Sequence, residues 1–404
     1  MRTKKLFDVG ALWPAHTAQS TEYAINDASA VSSIISGQRG SAIWHGNPWM
    51  DVGLRSQRSE DQDTGFVSSG GQRASGTGSA DGSHVRANRG RDAMGAPRFD
   101  QSVASGAYLW WYIDAISDDG QYGLTIIAFV GSVFSPYYAQ AVKRGNANAN
   151  NHCALNVALY SRSGKRWTMT ERSQKSIQRD ATHFTIGPSH LHWNGSALEI
   201  HINELGAPLP FPVRGIVRVH PQALSTYSTA LDDGGLHHWG PLAPCARVEV
   251  ELNNPSLRWK GHAYLDSNEG AEPIDRPFRE WDWSRATLSD GSTAIIYDVQ
   301  QKQGKDRLLG LRFKPDGTHT EFTPPPRQVL PLTAWRIPRR MRSEGEQRVE
   351  IISMLEDTPF YERSVLQTKL FGEEVISVHE TLNVPRLTSP IVQWMLKWRM
   401  PRFG

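Results

Sequence analysis

The sequence predicts an all-β fold on three observations. From about Pro97 onward, short apolar runs alternate with turn signals, neighbouring runs fold back within a hairpin's length, and helical periodicity is scarce. Leu109 to Ile116 (LWWYIDAI) meets the turn Ser117-Asp118-Asp119-Gly120, and Tyr122 to Val130 returns as an apolar strand. Ala154 to Tyr160 and Arg166 to Glu171 make a second hairpin. His190 to Trp193 and Leu198 to Ile202 make a third around Asn194-Gly195, whose type I′ preference is the strongest turn signal in the chain. Further on, Ala294 to Gln300, Arg307 to Phe313 and Thr318 to Phe322 continue the pattern, followed by Val349 to Leu355, Val365 to Leu370 and Val375 to Leu382. Such spacing favours barrels or sandwiches.

An internal echo suggests two related β-domains. Tyr112-Ile113-Asp114 before Ser-Asp-Asp-Gly resembles Tyr264-Leu265-Asp266 before Ser-Asn-Glu-Gly, each on an early strand before a turn. The division is expected between Pro241 and Pro255, giving β-domains over 97–245 and 246–404. Residues 1–96 read as a largely disordered extension: about Arg55 to Gly95 is rich in Ser, Gly, Arg and Asp and nearly free of large apolar side chains. Only a short helix over Ala28 to Ile35 is expected there, and no GxGxxG or GxxxxGK[ST] pattern gives the glycines a phosphate-binding role.

Composition narrows the function classes. The 404 residues carry a net charge of only +3, with no nucleic-acid recognition signature. The two cysteines, Cys153 and Cys245, have neither disulfide-framework nor zinc-ligand spacing, and a reducing cytosol suits them. Leu124 to Phe134 is too short to cross a bilayer, and the N-terminus lacks a signal peptide's apolar core. The C-terminal PIVQWMLKWRMPRFG interleaves Ile391, Trp394, Met395, Leu396 and Trp398 with Lys397, Arg399 and Arg402, which suits peripheral lipid contact and equally a terminal helix packed on the domain with its basic residues solvated. Arg339, Arg340 and Arg342 would add attraction to anionic lipid or be plain surface.

One candidate site stands out. His237-His238-Trp239 and the strand around His262, Tyr264 and Asp266 bring an acid among imidazoles and aromatics, with Trp281 and Trp283 close behind. Strand alternation puts His262, Tyr264 and Asp266 on one face, and His237 with Trp239 on another. An aromatic wall would raise the Asp266 pKa by desolvation and keep a proton available for an unactivated alkene, whose cation aromatic faces would stabilise. Asp114, on a face with Trp110 and Tyr112, is an equal rival on these grounds. Two other classes stay open: a zinc site built from His190, His192 and His237 or His238, and a non-catalytic barrel carrying apolar ligands.

The blocks GAYLWWYIDAISDDGQYGLTIIAFVGSVFSPYYA, NHCALNVALY, WTMTER, LHWNG, HHWGP and GHAYLD resemble the acyclic carotenoid 1,2-hydratases, or hydroxyneurosporene synthases, from about Arg98 to the region of Arg399; residues 1–97 lie outside the likeness. The resemblance implies paired lipocalin-like β-barrels and cofactor-independent addition of water to the C1,C2 double bond of neurosporene, lycopene or their hydroxylated derivatives. The partners it implies are an acyclic carotenoid, water and, at the periphery, lipid of the bacterial inner or photosynthetic membrane. The family's functional residues match here as His237, Trp239, Tyr264 and Asp266, which favours Asp266 over Asp114. In this reading Asp266 is the proton donor and Trp239 faces the cation. His237 handles the water and Tyr264 orients the acid, or the two exchange roles. Trp110, Tyr112, Trp281 and Trp283 are expected to line the polyene, with Trp111, Tyr137 and Tyr138 as further candidates against plain strand-face packing.

Overall fold

A computed structural model describes residues 90–346 and 348–403. The expected extension through Arg89, with its Ala28–Ile35 helix, lies outside the described residues. The first sheet uses β1 (Tyr108–Ser117), β2 (Tyr122–Val130), β3 (Cys153–Ser161), β4 (Gly164–Arg172), β5 (Ile177–Arg179), β6 (His183–Ile186), β7 (Ser189–Trp193) and β8 (Leu198–Leu205). It continues with β9 (Pro212–Pro221), β10 (Thr229–Ala230), β11 (His237–Asn254) and β12 (Ser256–Gly270). The second uses β13 (Phe278–Thr287), β14 (Thr293–Gln301), β15 (Arg307–Phe313) and β16 (His319–Glu321). After a ribbon of β17 (Arg327–Val329) and β18 (Arg340–Arg342) come its last strands, β19 (Glu350–Asp357), β20 (Tyr361–Leu370) and β21 (Glu373–Asn383). Helix α1 (Pro136–Lys143) follows β2, while α2 (Val384–Leu387) and α3 (Pro390–Arg399) precede β22 (Arg402–Phe403), which pairs parallel to β4.

The fold is all-β, as expected. The first sheet has the order β22-β4-β3-β2-β1-β12-β11-β9-β8-β7-β6-β5, with β10 beside β11, and curls until β4 meets β8 and β3 meets β6. The second runs β16-β15-β14-β13-β21-β20-β19. The expected hairpins form. At Asn194-Gly195, Gly195 takes φ 96° while Asn194, not itself at positive φ, accepts through its side chain from the Ser196 and Ala197 amides. The hairpin therefore closes through an Asx turn in a four-residue loop and not through a two-residue type I′ turn.

Strand β1 shows how the sheets are layered. Its alternate residues Leu109, Trp111, Ile113 and Ala115 fill the hollow of the curled first sheet with Phe99, Phe184 and Leu265. Tyr108, Trp110 and Tyr112 point the other way, into a second core shared with Trp281, Trp283 and Tyr297 of the second sheet. Both faces are buried, so the strand reads as an unbroken apolar run instead of an alternating one.

The sheets divide between Gly270 and Phe278, and the border expected at 245/246 falls inside β11. Pro241 and Pro244 resemble a linker in sequence. Here β11 carries them through with register shifts between Pro241 and Ala243 and between Ala243 and Ala246. Pairing with β10 covers His238 and Trp239, pairing with β9 resumes at Ala246, and the prolines occupy the stretch between, where no ladder amide is demanded on that edge. The two Tyr-x-Asp echoes likewise do not occupy matching places in two sheets. They are neighbours on β1 and β12, with Tyr112 opposite Asp266 and Asp114 opposite Tyr264.

The arginine cluster is not a lipid-facing surface. Arg339 is 2% exposed and donates to Glu362 and Ser364, Arg340 pairs with Glu280, and Arg342 joins Arg327 on Asp298. His379 bridges Glu362 and the Arg340 carbonyl beneath them. A small cavity among Asp282, Asp298, Arg340, Arg342 and His379 belongs to this polar layer. The C-terminal helix packs on the domain through one face: α3 buries Val392 and Leu396, the latter expected at a lipid surface, and exposes Ile391, Trp394, Lys397 and Trp398.

Candidate active site

Asp266 sits on β12 in the layer between the two sheets, 3% exposed. The Trp239 indole N–H donates to its Oδ2 at 2.8 Å and the Tyr264 hydroxyl to the same oxygen at 2.9 Å. Oδ1 faces Asn268 Nδ2 at 3.5 Å. Burial pushes the carboxyl up to about 8, helped by the negative charges of Glu380 and Asp114 and opposed by the two donors. At neutral pH Asp266 is therefore a carboxylic acid. Two close donors on Oδ2 make Oδ1 the oxygen that better tolerates the acidic hydrogen.

Aromatic rings wall this acid. Tyr264 lies 5.3 Å from Trp283, Tyr112 lies 5.6 Å from Trp283 and 6.3 Å from Tyr264, and Trp239 meets Tyr297 edge-on at 5.4 Å. Trp281 adjoins Tyr297 and Trp110 stacks on Tyr108 at 4.9 Å, so the structure gathers all four expected lining residues in one core. It does not gather the further candidates. Trp111 faces the opposite core and donates to the Gly90 carbonyl, Tyr138 donates to the Ala107 carbonyl, and Tyr137 packs by Arg402.

His237 is buried, but it is not joined to Asp266. Along β12 it stands opposite Gly270, whereas Asp266 stands opposite Pro241. Four residues at roughly 3.3 Å each separate them by about 13 Å. Its Nδ1 bonds the Tyr108 hydroxyl at 2.8 Å and its Nε2 faces Glu272 at 3.7 Å. Burial pushes the imidazole down to about 4, partly offset by Asp232. His262, expected beside Tyr264 and Asp266, is exposed midway along β12 and faces Asp118.

The rival acid is accounted for. Asp114 Oδ1 accepts from Arg285 Nε at 2.6 Å and also from Arg285 Nη2, both residues being under 5% exposed. The zinc geometry does not form either. His190 stacks on His201 and His192 on His183, each at 4.2 Å across β6, β7 and β8, without meeting His237. Among the described residues no group of three or more His, Cys, Asp or Glu is placed to hold a metal ion.

Sequence reasoning missed Glu380 and Arg363. Glu380 on β21 accepts from the Tyr112 hydroxyl and from Arg363 Nε at 2.8 Å, deep in the same layer. Little in the chain marks them: β20 (YERSVLQTKL) and β21 (EEVISVHETLN) are rich in polar and charged residues, so neither side chain stands out until the fold buries it.

The chain is similar to proteins already described. A family model described as carotenoid hydratase CrtC matches residues 126–404. The acyclic carotenoid 1,2-hydratase of Rubrivivax gelatinosus is 54% identical over 391 residues, covering 96% of each chain. The chain belongs to the carotenoid hydratase family. A second carotenoid hydratase relative, the acyclic carotenoid 1,2-hydratase of Thiocapsa roseopersicina, is 47% identical over 405 residues and 100% of both chains. The likeness thus reaches through residues 1–97, which the sequence reading had placed outside it. Among solved structures, a protein described as AttH from Nitrosomonas europaea overlays with a TM-score of 0.48 at 16% identity, covering 69% of this chain and 92% of that one.

Proposed function

We propose that the protein hydrates the C1,C2 double bond of acyclic carotenoids such as neurosporene, lycopene and their hydroxylated derivatives, forming a tertiary alcohol at C1. The observation that carries this is Asp266: a neutral acid with Oδ2 tied down and Oδ1 left to the aromatic layer. Its proton goes to C2, where the alkene's π electrons form the new C–H bond, leaving a tertiary cation at C1. The faces of Tyr112, Tyr264 and Trp283 lie beside the acid and stabilise that charge. Water attacks C1 and the oxonium sheds a proton to the site. No electrons change hands, so the reaction needs no redox cofactor.

These contacts favour Tyr264 and Trp239 as the groups that orient the acid. Trp239 presents its N–H edge to Asp266, so its part is to hold Oδ2. His237 stays neutral and, with Tyr108, closes the far end of the aromatic layer.

The substrate dissolves in lipid, so the protein must meet a membrane, and we place it in the cytoplasm on the face of the inner or photosynthetic membrane. Ile391, Trp394 and Trp398 of α3, Phe403, and Leu209 with Phe211 between β8 and β9 are exposed apolar groups. Strand β4 links them: Arg166 covers Phe211, Arg172 covers Phe403 and Arg399 covers Trp167. Aromatic and cationic groups so interleaved suit an anionic lipid interface. No helix among the described residues is long and apolar enough to cross a membrane.

The test is incubation of wild type and Asp266→Asn with lycopene in lipid and isotopically labelled water, read by mass spectrometry. Labelled alcohol from wild type alone is expected. Lycopene bound but unchanged by wild type, beside an active control hydratase, would turn the reading to a carrier.

A further inference from the structure

We propose that Tyr112 and Glu380 form the basic half of the site, taking up the proton of the attacking water through the Tyr112 hydroxyl. The inference rests on the hydratase reading above.

Tyr112 is the cross-strand partner of Asp266, so both side chains project to the same side, with Cβ atoms about 5 Å apart. The Tyr112 hydroxyl reaches across to the second sheet and donates to Glu380 Oε1. Glu380 stands opposite Trp283, the indole that touches Tyr112 and Tyr264. Arg363 fixes the carboxylate with Nε at 2.8 Å and Nη2 at 2.7 Å, and its guanidinium stacks 5.8 Å from the Tyr112 ring. The other end of Arg363 donates to the Tyr160 hydroxyl, which in turn donates to Glu356 at 2.6 Å. A protonated acid and an ion-paired carboxylate therefore bracket one aromatic box, an arrangement suited to giving a proton on one side and taking one on the other.

Hydration needs both acts. His237 is badly placed for the second, being about four strand positions away, bonded to Tyr108 and weakly basic. Tyr112 is well placed because its own hydrogen is already committed to Glu380, leaving the oxygen lone pairs for water. As the water oxygen bonds to C1, one of its protons moves to the Tyr112 oxygen while the Tyr112 hydrogen moves to Glu380. The two transfers are coupled, because burial holds the Tyr112 phenol well above its ordinary range and a free phenolate is excluded. The product is a neutral alcohol, Asp266 ends as carboxylate and Glu380 as acid, and the reverse passage of one proton to Asp266 resets the site with no net change in charge.

The experiment compares Tyr112→Phe, Glu380→Gln, the double variant and Tyr160→Phe in steady-state turnover of lycopene in lipid. Tyr112→Phe is expected to lower kcat about 10²-fold or more with KM unchanged. The double variant should be no slower than the slower single one, since the pair acts as a unit. Tyr160→Phe, which touches Arg363 but not the relay, should keep its kcat. Glu380→Gln leaves Arg363 without its counter-charge, so Tyr112→Phe, which deletes one oxygen, is decisive if the glutamine variant fails to fold. Full kcat in Tyr112→Phe while Asp266→Asn is dead would overturn the relay and leave the hydratase reading standing. No hydration by wild type would remove both.

Discussion

The two Tyr-x-Asp segments lie side by side on β1 and β12, each tyrosine opposite the other's aspartate, yet their acids have opposite surroundings. Asp114 meets a buried guanidinium from the second sheet, whereas Asp266 meets an indole N–H and a phenol. A full positive charge stabilises a carboxylate; neutral donors in a dry aromatic layer do not compensate its desolvation, and the acid keeps its proton. What separates a structural ion pair from a proton donor is one arginine on β13.

The contrast can be broken most sharply at the proposed proton donor. Asp266→Asn should lower turnover by about 10³-fold or more while leaving the fold intact, measured as product per folded molecule. Asp114→Asn should do the reverse. It strands Arg285 in the core and should cost about 3–5 kcal/mol in denaturant unfolding, with most of the turnover per folded molecule preserved.

The contrast sharpens with pH. Folded Asp266 holds its proton up to about 8, while the unfolded chain releases it near the ordinary value of 3.8. Between those values the native state binds the extra proton, so this residue's contribution to stability falls as pH rises and levels off above about 8. Urea titrations across that window should show the decline in wild type and its loss in Asp266→Asn, and turnover should fall on an alkaline limb near pH 8. Tyr264→Phe removes a donor that favours the carboxylate, so that limb should move to higher pH, with turnover down about tenfold from lost orientation. The smallest effect is expected far from the acid. Trp394→Ser with Trp398→Ser should weaken flotation with anionic vesicles several-fold and leave turnover in detergent unchanged.

Much of this was legible in the chain. Hairpins with local turn chemistry, such as Tyr122–Val130 and Arg307–Phe313, form at the expected residues because their pairing partners are close in sequence. The border between sheets was not legible, because Pro241 and Pro244 look the same in a linker and in a bulged strand. At the site, alternation along β12 correctly joined Tyr264 with Asp266 but also drew in His262, whose side chain is exposed and faces Asp118 instead. Choosing between Asp114 and Asp266 by physics required Arg285, 171 positions away from Asp114, and Glu380 lies 268 positions from Tyr112. Periodicity reports on which way a side chain points, not on which distant strand arrives to meet it.

Anchoring one oxygen of Asp266 also has a stereochemical consequence. Because Oδ2 is held by Trp239 and Tyr264, the hydrogen on Oδ1 approaches the alkene from a single side. In heavy water, C2 would become a centre made chiral by isotope alone, with deuterium in one of its two enantiotopic positions. An acid free to rotate about its own side chain would scramble that label.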